Sequence, residues 1–301
     1  MRLSNENIVK AGPWVYNNRG PKRLRRNFSM PTLLGTCQML CSYGYRALGI
    51  LAFVAISCSP DNPPLQYTMQ EVLAHNDYQK PEPFYHAYSH RVGVIEADLY
   101  FDEGRVKVAH DPSELEKNLD LESLYLIPLK EKIRDHGRVY PDENLSLALM
   151  LDIKNETAKV MARILELVEK YPELFGSDRK DPLVPLVISG ARPDQASWAS
   201  LPAPILIDGR LTDDIPDSLK SRIFMVSSSF SSVVPGSFDQ SGLTDEQINA
   251  VKDVVDSIHR QNLKIRFWGV PDHIDFWKLQ DQLEVDIIGS DHLDELAKHI
   301  R

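Results

Sequence analysis

From residue 72 to the end of the chain, short apolar runs alternate with stretches of helical period. The runs are Val72–Ala74, Val92–Phe101, Val106–Ala109, Leu147–Ile153, Leu183–Ser189, Ile205–Ile207, Ile223–Ser227, Leu263–Val270 and Val285–Gly289. Helices are predicted over 81–90, 121–136, 155–171, 243–261, 273–283 and 291–300. Thr244 and Gln247 form a capping box at the head of one of them. Such alternation points to a parallel sheet. Val106–Ala109 follows the turn at 102–104, which leaves eight main strands. Eight units close into a barrel more naturally than they extend into an open sheet. About 240 residues follow Cys58, close to the roughly 250 that such a barrel uses. No glycine-rich loop follows the first strand, which argues against a dinucleotide-binding sheet. The expected fold is α/β: one (β/α)₈ barrel over residues 68–301.

Charge is divided unevenly. Residues 1–58 hold eight Lys/Arg and one Glu; the remainder holds 26 Lys/Arg against 42 Asp/Glu, a net of −16. An acidic body repels nucleic acid, whose binding depends on cations that neutralise phosphates. The cysteines, at 37, 41 and 58, all precede the barrel. That excludes a disulfide framework, a thiolate zinc site and a cysteine nucleophile within the barrel.

Residues 47–57 form an apolar run flanked by Arg46 and followed by Ser57-Cys58-Ser59. The run is too short for a membrane span of about 20 residues, and it fits the apolar core of a signal peptide. Small residues ahead of a cysteine resemble a bacterial lipobox. The expectation is a leader over 1–57, a linker over 58–67, and an exported protein anchored in the bacterial cell envelope through lipid on Cys58. Counted from Met39 the leader has 19 residues, so residues 1–38 read as a misassigned extension or an unstructured lead. The competing reading is a buried apolar helix with an incidental cysteine.

Four polar clusters fall at predicted strand ends, where barrel enzymes place their chemistry. They are His75-Asn76-Asp77-Tyr78, Glu96-Ala97-Asp98, His110-Asp111 and Asp152-Ile153-Lys154. Side chains alternate along a strand, so Glu96 and Asp98 share a face, as do Asp152 and Lys154. Each cluster alone also fits a wet strand face or a surface turn. Asp152, however, sits within Leu149-Met150-Leu151 and Ile153, where an unpaired charge costs several kcal/mol. Three carboxylates without thiolates suit a hard divalent ion, Mg²⁺ or Ca²⁺.

In this order and spacing the clusters resemble the superfamily of glycerophosphodiester phosphodiesterases and phosphatidylinositol-specific phospholipase C-like enzymes. The segments His75–Tyr78, Arg266–Asp272 and Ile288–Asp291 further resemble the branch named after altered-inheritance-of-mitochondria protein six. The resemblance covers roughly residues 70–300. It implies a metal-dependent phosphoric diester hydrolase acting on a phospholipid or a glycerophosphodiester. His75 and His110 would be the acid–base pair. Glu96, Asp98 and Asp152 would hold one divalent cation. Lys154 would contact phosphate, and Asn76, Trp268 and Asp291 would line the substrate pocket, although Trp268 fits core packing equally well. Partners would be the lipid or small-molecule substrate and the membrane, with no nucleic acid or protein partner. Two departures stand out: Asn76 replaces the Arg that usually follows the first His, and Asp152 replaces a Glu. Both weigh against strict glycerophosphodiester specificity. The rival readings are a non-catalytic barrel that binds a phospholipid or phospho-sugar, and a different metal-dependent hydrolase on the same fold.

Overall fold

The computed structural model describes residues 64–176, 183–238 and 242–300. The expected leader, Cys58 and the first residues of the linker lie outside the described residues. Leu65 and Tyr67, ahead of the expected barrel start, are buried in it.

The strands are β1 (Val72–Ala74), β2 (Val94–Asp102), β3 (Arg105–Val108), β4 (Ala148–Ile153), β5 (Leu186–Gly190), β6 (Ile205–Arg210), β7 (Ile223–Ser229), β8 (Ile265–Trp268) and β9 (Ile288–Ser290). The helices are α1 (Tyr85–Ser89), α2 (Ile127–His136), α3 (Thr157–Lys170), α4 (Pro172–Phe175), α5 (Phe230–Val233), α6 (Asp245–Arg260), α7 (Ile274–Gln282) and α8 (Leu293–Leu296). Hydrogen-bonded neighbours run β8-β7-β6-β5-β4-β2-β1-β9, all parallel. The ring closes through a parallel bridge between Arg266 and Ile287. The result is an eight-stranded (β/α)₈ barrel, and β3 pairs antiparallel with β2 as a hairpin outside the ring.

The core has two parts. Inside the barrel, Leu73, Val94, Ala148, Met150, Val187, Leu206, Phe224, Met225 and Ile287 form one apolar cluster. Between barrel and helices lies a larger one, into which α3 sends Val160, Ile164 and Leu167 and α6 sends Val251, Val255 and Ile258. The spacing of four then three is one helical stripe, and burying each side chain contributes about 1.5–3 kcal/mol. The Thr244–Gln247 capping box forms as expected.

Two predicted helices differ in the structure. The helix expected over 121–136 begins as a π-helical turn at Glu122–Leu126 before α2. Pro128 has no N–H to give and crowds the preceding turn; the wider turn takes it in. Between β5 and β6, and again between β6 and β7, where the sequence reading places no helix, the described crossovers use only 3₁₀ turns, at Gln195–Ser200 and Lys220–Arg222. The helix expected over 291–300 is only α8. Beyond it residues 297–299 form a turn, and the His299 carbonyl accepts Leu65 N–H at 2.7 Å beside the Leu65–Ile300 bridge. Pairing with the start of the barrel replaces the last helical turns.

Candidate active site

Strand register assembles the site. Asp98 on β2 pairs directly with Asp152 on β4. Glu96, two residues earlier, points to the same interior face. One oxygen of each of these three carboxylates lies within 4.8 Å of the others. Glu96 and Asp98 are almost wholly buried and Asp152 partly so. They sit directly above the apolar plug, because Val94 and Met150 occupy the preceding interior positions of the same strands.

The hairpin delivers His110. Leu99 on β2 faces Val108 on β3, so Ala109 comes opposite Asp98, with Ala109 N–H directed at the Asp98 carbonyl at 3.3 Å. His110 Nδ1 then lies 3.4 Å from Asp98 Oδ2. Its partner in the motif, Asp111, turns away and caps the following 3₁₀ turn by accepting Ser113 N–H at 2.8 Å. Asp77 is also structural: buried, it accepts Phe84 N–H at 2.6 Å.

The β1–β9 seam delivers His75. Ala74 pairs with Ser290, so the next residues, His75 and Asp291, become neighbours. Both Asp291 oxygens lie 3.3 Å from His75 Nδ1. Lys80 donates to the Asp291 carbonyl at 2.8 Å. Asp272 accepts Asp291 N–H at 2.7 Å and the Ser290 hydroxyl at 3.0 Å, and is itself held by Trp277 Nε1–H at 2.8 Å. Asp291 was expected in the pocket wall; its carboxylate instead backs a histidine.

Asn76 occupies a left-handed conformation with φ 49°. Its backbone N–H donates to Glu96 at 2.9 Å. Its side chain is turned inward, with Nδ2 3.0 Å from His75 Nδ1 and Oδ1 3.0 Å from the Tyr78 hydroxyl. Tyr78 Oη also lies 3.0 Å from Asp98 Oδ2. Lys154 Nζ sits 3.0 Å from Asp98 Oδ1 and 3.3 Å from Asp152 Oδ1. Trp268, the last residue of β8, is 49% exposed, so core packing is not its role. Thus His75, Asn76, Glu96, Asp98, His110, Asp152, Lys154 and Asp291 come together, and Trp268 stands at the C-terminal end of its strand.

Electrostatics follow from this crowding. Burial, then the Asp98 charge, pushes the Glu96 carboxyl well above the usual carboxylate range. Burial raises Asp152 too, against the pull of Lys154. Burial works against the Lys154 charge, but Asp152 and Asp98 outweigh it and hold the ammonium above its ordinary value. Asp291 ends below its ordinary value, because His75 and Lys80 outweigh its burial. Three acids this close cannot all stay ionised without a proton or a cation among them. Their hard oxygen donors suit a divalent ion.

Several participants carried no assigned role in the sequence. Gly190, with φ 66°, leaves room for Asp152: a Cβ there would lie 2.0 Å from Asp152 Oδ1. Arg266 is buried inside the barrel, where Asp208, Glu96 and Asp152 offset part of the cost of its burial. Gly289 makes space for it, since an added Cβ would come 3.3 Å from Arg266 Nη2. Asp208 accepts the Ser189 hydroxyl at 2.7 Å and Arg210 Nη1–H at 2.7 Å. Tyr78, Arg266 and Asp272 lie inside the motif segments read from sequence; nothing local marks Gly190 or Asp208.

Residues 66–173 match the family described as the AIM6-like phosphodiesterase domain. Among curated relatives, the altered inheritance of mitochondria protein 6 homolog of Arthroderma benhamiae is 24% identical over 229 residues, covering 66% of this chain and 72% of that protein. Altered inheritance of mitochondria protein 6 of Eremothecium gossypii is 24% identical over 272 residues, covering 76% of this chain and 69% of that protein. Among solved structures, a glycerophosphodiester phosphodiesterase from Parabacteroides distasonis aligns with a TM-score of 0.48 at 13% identity, covering 78% of this chain and 97% of that one. The resemblance drawn from the motifs, to the phosphodiesterase superfamily and its AIM6-like branch, therefore holds; the family match and the curated relatives carry it. These relatives are fungal. That overturns the expectation of a bacterial cell-envelope lipoprotein, because the lipobox reading of Cys58 belongs to bacterial export, and the membrane anchor expected there falls with it.

Proposed function

We propose that the chain is a phosphoric diester hydrolase that needs one divalent cation and acts on a phospholipid or a related small phosphodiester. The observation that carries this reading is the register-built meeting of Glu96, Asp98 and Asp152 with two histidines, each backed by its own carboxylate. Binding alone does not call for such an acid–base pair.

Glu96, Asp98 and Asp152 would hold the cation, Mg²⁺ or Ca²⁺, which when bound supplies positive charge to a non-bridging phosphate oxygen. The remaining work falls to the chain's own groups. In His75 and His110 alike, Nδ1 faces a carboxylate, which leaves Nε2 as the nitrogen for proton transfer. One ring removes the proton of the attacking hydroxyl; the other protonates the leaving oxygen. Asn76 and Tyr78 fix the loop between the first histidine and the acids. Lys154 adds charge against the phosphate, and the exposed Trp268 offers an apolar wall to the rest of the substrate.

The test is a contrast between two groups of variants. His75→Ala and His110→Ala should each lower turnover of a generic phosphodiester by roughly 10²–10⁴-fold, with the magnesium requirement unchanged. Asp98→Ala and Asp152→Ala should instead raise the magnesium needed for their residual activity. Full turnover in both histidine variants, on a substrate that the unaltered protein cleaves only with metal, would remove the acid–base assignment.

A further inference from the structure

A second group of ligating side chains lies outside the site just described. His86 sits on α1 and His90 immediately after it; Asp294 sits on α8. Residues four apart on a helix share a face, and the two imidazole rings lie 5.0 Å apart. Each turns its Nε2 to the same carboxylate: His90 Nε2 is 2.9 Å from Asp294 Oδ1, and His86 Nε2 is 3.3 Å from Asp294 Oδ2. The three ligand atoms fall within 4.8 Å of one another. Among the described residues His86 Nδ1 is buried without a hydrogen-bond partner, and the polar contact of that ring runs through Nε2.

We propose that His86, His90 and Asp294 form a second cation site that takes a borderline divalent ion of the zinc type. Donor chemistry separates it from the barrel mouth. Two imidazoles and one carboxylate suit zinc, whereas three carboxylates suit magnesium or calcium. Spacing agrees as well. Ligand atoms about 2.0–2.1 Å from a tetrahedral zinc stand about 3.3 Å from each other; the rings approach the carboxylate to 2.9 Å at Oδ1 and 3.3 Å at Oδ2, and one ligand atom from each residue falls within 4.8 Å of the others. Asp294 is largely exposed, with 77% of its side chain open, which leaves the fourth position to water.

The placement gives the ion a structural task. α1 belongs to the first βα unit of the barrel and α8 to the last, and their strands β1 and β9 are paired. An ion held by both helices clasps the two ends of the barrel chain together. Asp294 also follows Asp291, the partner of His75, by three residues, so the clasp restrains the segment that backs the catalytic histidine. The unfolded chain does not bring these three side chains together, so zinc binds the folded state selectively.

The experiment uses the full chain, stripped with a chelator and dialysed against zinc with magnesium in excess, so that the carboxylate cluster is occupied. Zinc content by mass spectrometry should show one more equivalent in the unaltered protein than in His90→Gln. The melting temperature should rise by roughly 5–10 °C at zinc near 100-fold its Kd, and this rise should vanish in His90→Gln and in Asp294→Asn. The exposed Asp294 can be changed without disturbing the core, so Asp294→Asn carries the test if His90→Gln fails to fold. Equal zinc content and an equal rise in the variants, or no rise in the unaltered protein, overturns the proposal. Loss of phosphodiester turnover with the zinc response intact bears on the proposed function alone.

Discussion

Replacing Gly190 by alanine isolates how closely the barrel is fitted around its acids. Gly190 ends β5 with φ 66°. A Cβ added there would lie 2.0 Å from Asp152 Oδ1, 2.5 Å from the Ile153 carbonyl and 2.9 Å from Ile153 N. Two costs follow. The left-handed backbone costs a non-glycine residue about 1–2 kcal/mol. Forcing the Asp152 carboxylate and the β4 backbone aside adds about 1–3 kcal/mol, the usual range for overpacking. Together these make about 2–5 kcal/mol, or a melting temperature lower by roughly 5–15 °C for a domain of this size. Gly104 provides the control: its φ is 80°, but a Cβ there meets nothing within 4 Å. Gly104→Ala should therefore show the backbone cost alone. Urea unfolding of both variants measures the difference, and a magnesium titration of residual activity measures the displacement of Asp152. If Gly190→Ala loses no more stability than Gly104→Ala and needs no more magnesium, the close approach of Gly190 to Asp152 is not what sets this corner of the site.

Two further outcomes are expected. Asp291→Asn should lower turnover by about 100-fold through a misplaced His75, with magnesium dependence and melting temperature close to those of the unaltered protein. His259 donates to Asp286 at 2.8 Å beside the closing seam, where Asp286 also accepts Ile265 N–H; the Asp286 contact raises the His259 pKa above 6.5. A raised folded-state value means that the stabilisation is complete below the unfolded value and fades as pH climbs through the folded one. The stability gap between the unaltered protein and His259→Gln, followed by urea unfolding, should therefore shrink as pH rises above about 6.5; a gap that widens instead would refute the pairing.

What the sequence made legible was local. Alternation within Glu96-Ala97-Asp98 and Asp152-Ile153-Lys154 puts each pair on one face whatever the neighbouring strands do, and the barrel delivers both pairs to the same interior. The contacts that orient the histidines depend on register between distant segments. His75 and Asp291 are 216 positions apart, and only the pairing of Ala74 with Ser290 makes them neighbours. Asp291 could thus be placed near the site from its strand-end position but not given its partner. Gly190 was silent for the same reason: its φ and its distance from Asp152 exist only once β4 and β5 are aligned. The overextended last helix has a similar origin, since the end of the chain trades helical turns for pairing with Leu65, a residue at the other end of the barrel.

The charge balance inside the barrel bears on which substrate the mouth can receive. Four carboxylates, Glu96, Asp98, Asp152 and Asp208, face three fixed cations, Lys154, Arg210 and Arg266. Counting these seven side chains alone, with all four acids ionised, the set carries −1. Low local dielectric makes even a single uncompensated charge costly there. The upward push on Glu96 expresses this cost, because a proton on that carboxyl brings the set to zero. On the proposed function, a divalent cation in place of the proton would change the sign to +1. A phosphodiester, with its single negative charge, then restores neutrality. A phosphomonoester, with nearly two charges at neutral pH, would leave an excess negative charge beside buried carboxylates. Asp208 keeps this balance from tipping further toward the positive, with its Oδ2 held by Ser189 and Arg210. On the proposed function the barrel would pair one cation with one singly charged phosphate, and the side chains that set this ratio come from the neighbouring strands β2 and β4, from Lys154 just beyond β4, and from β6 and β8.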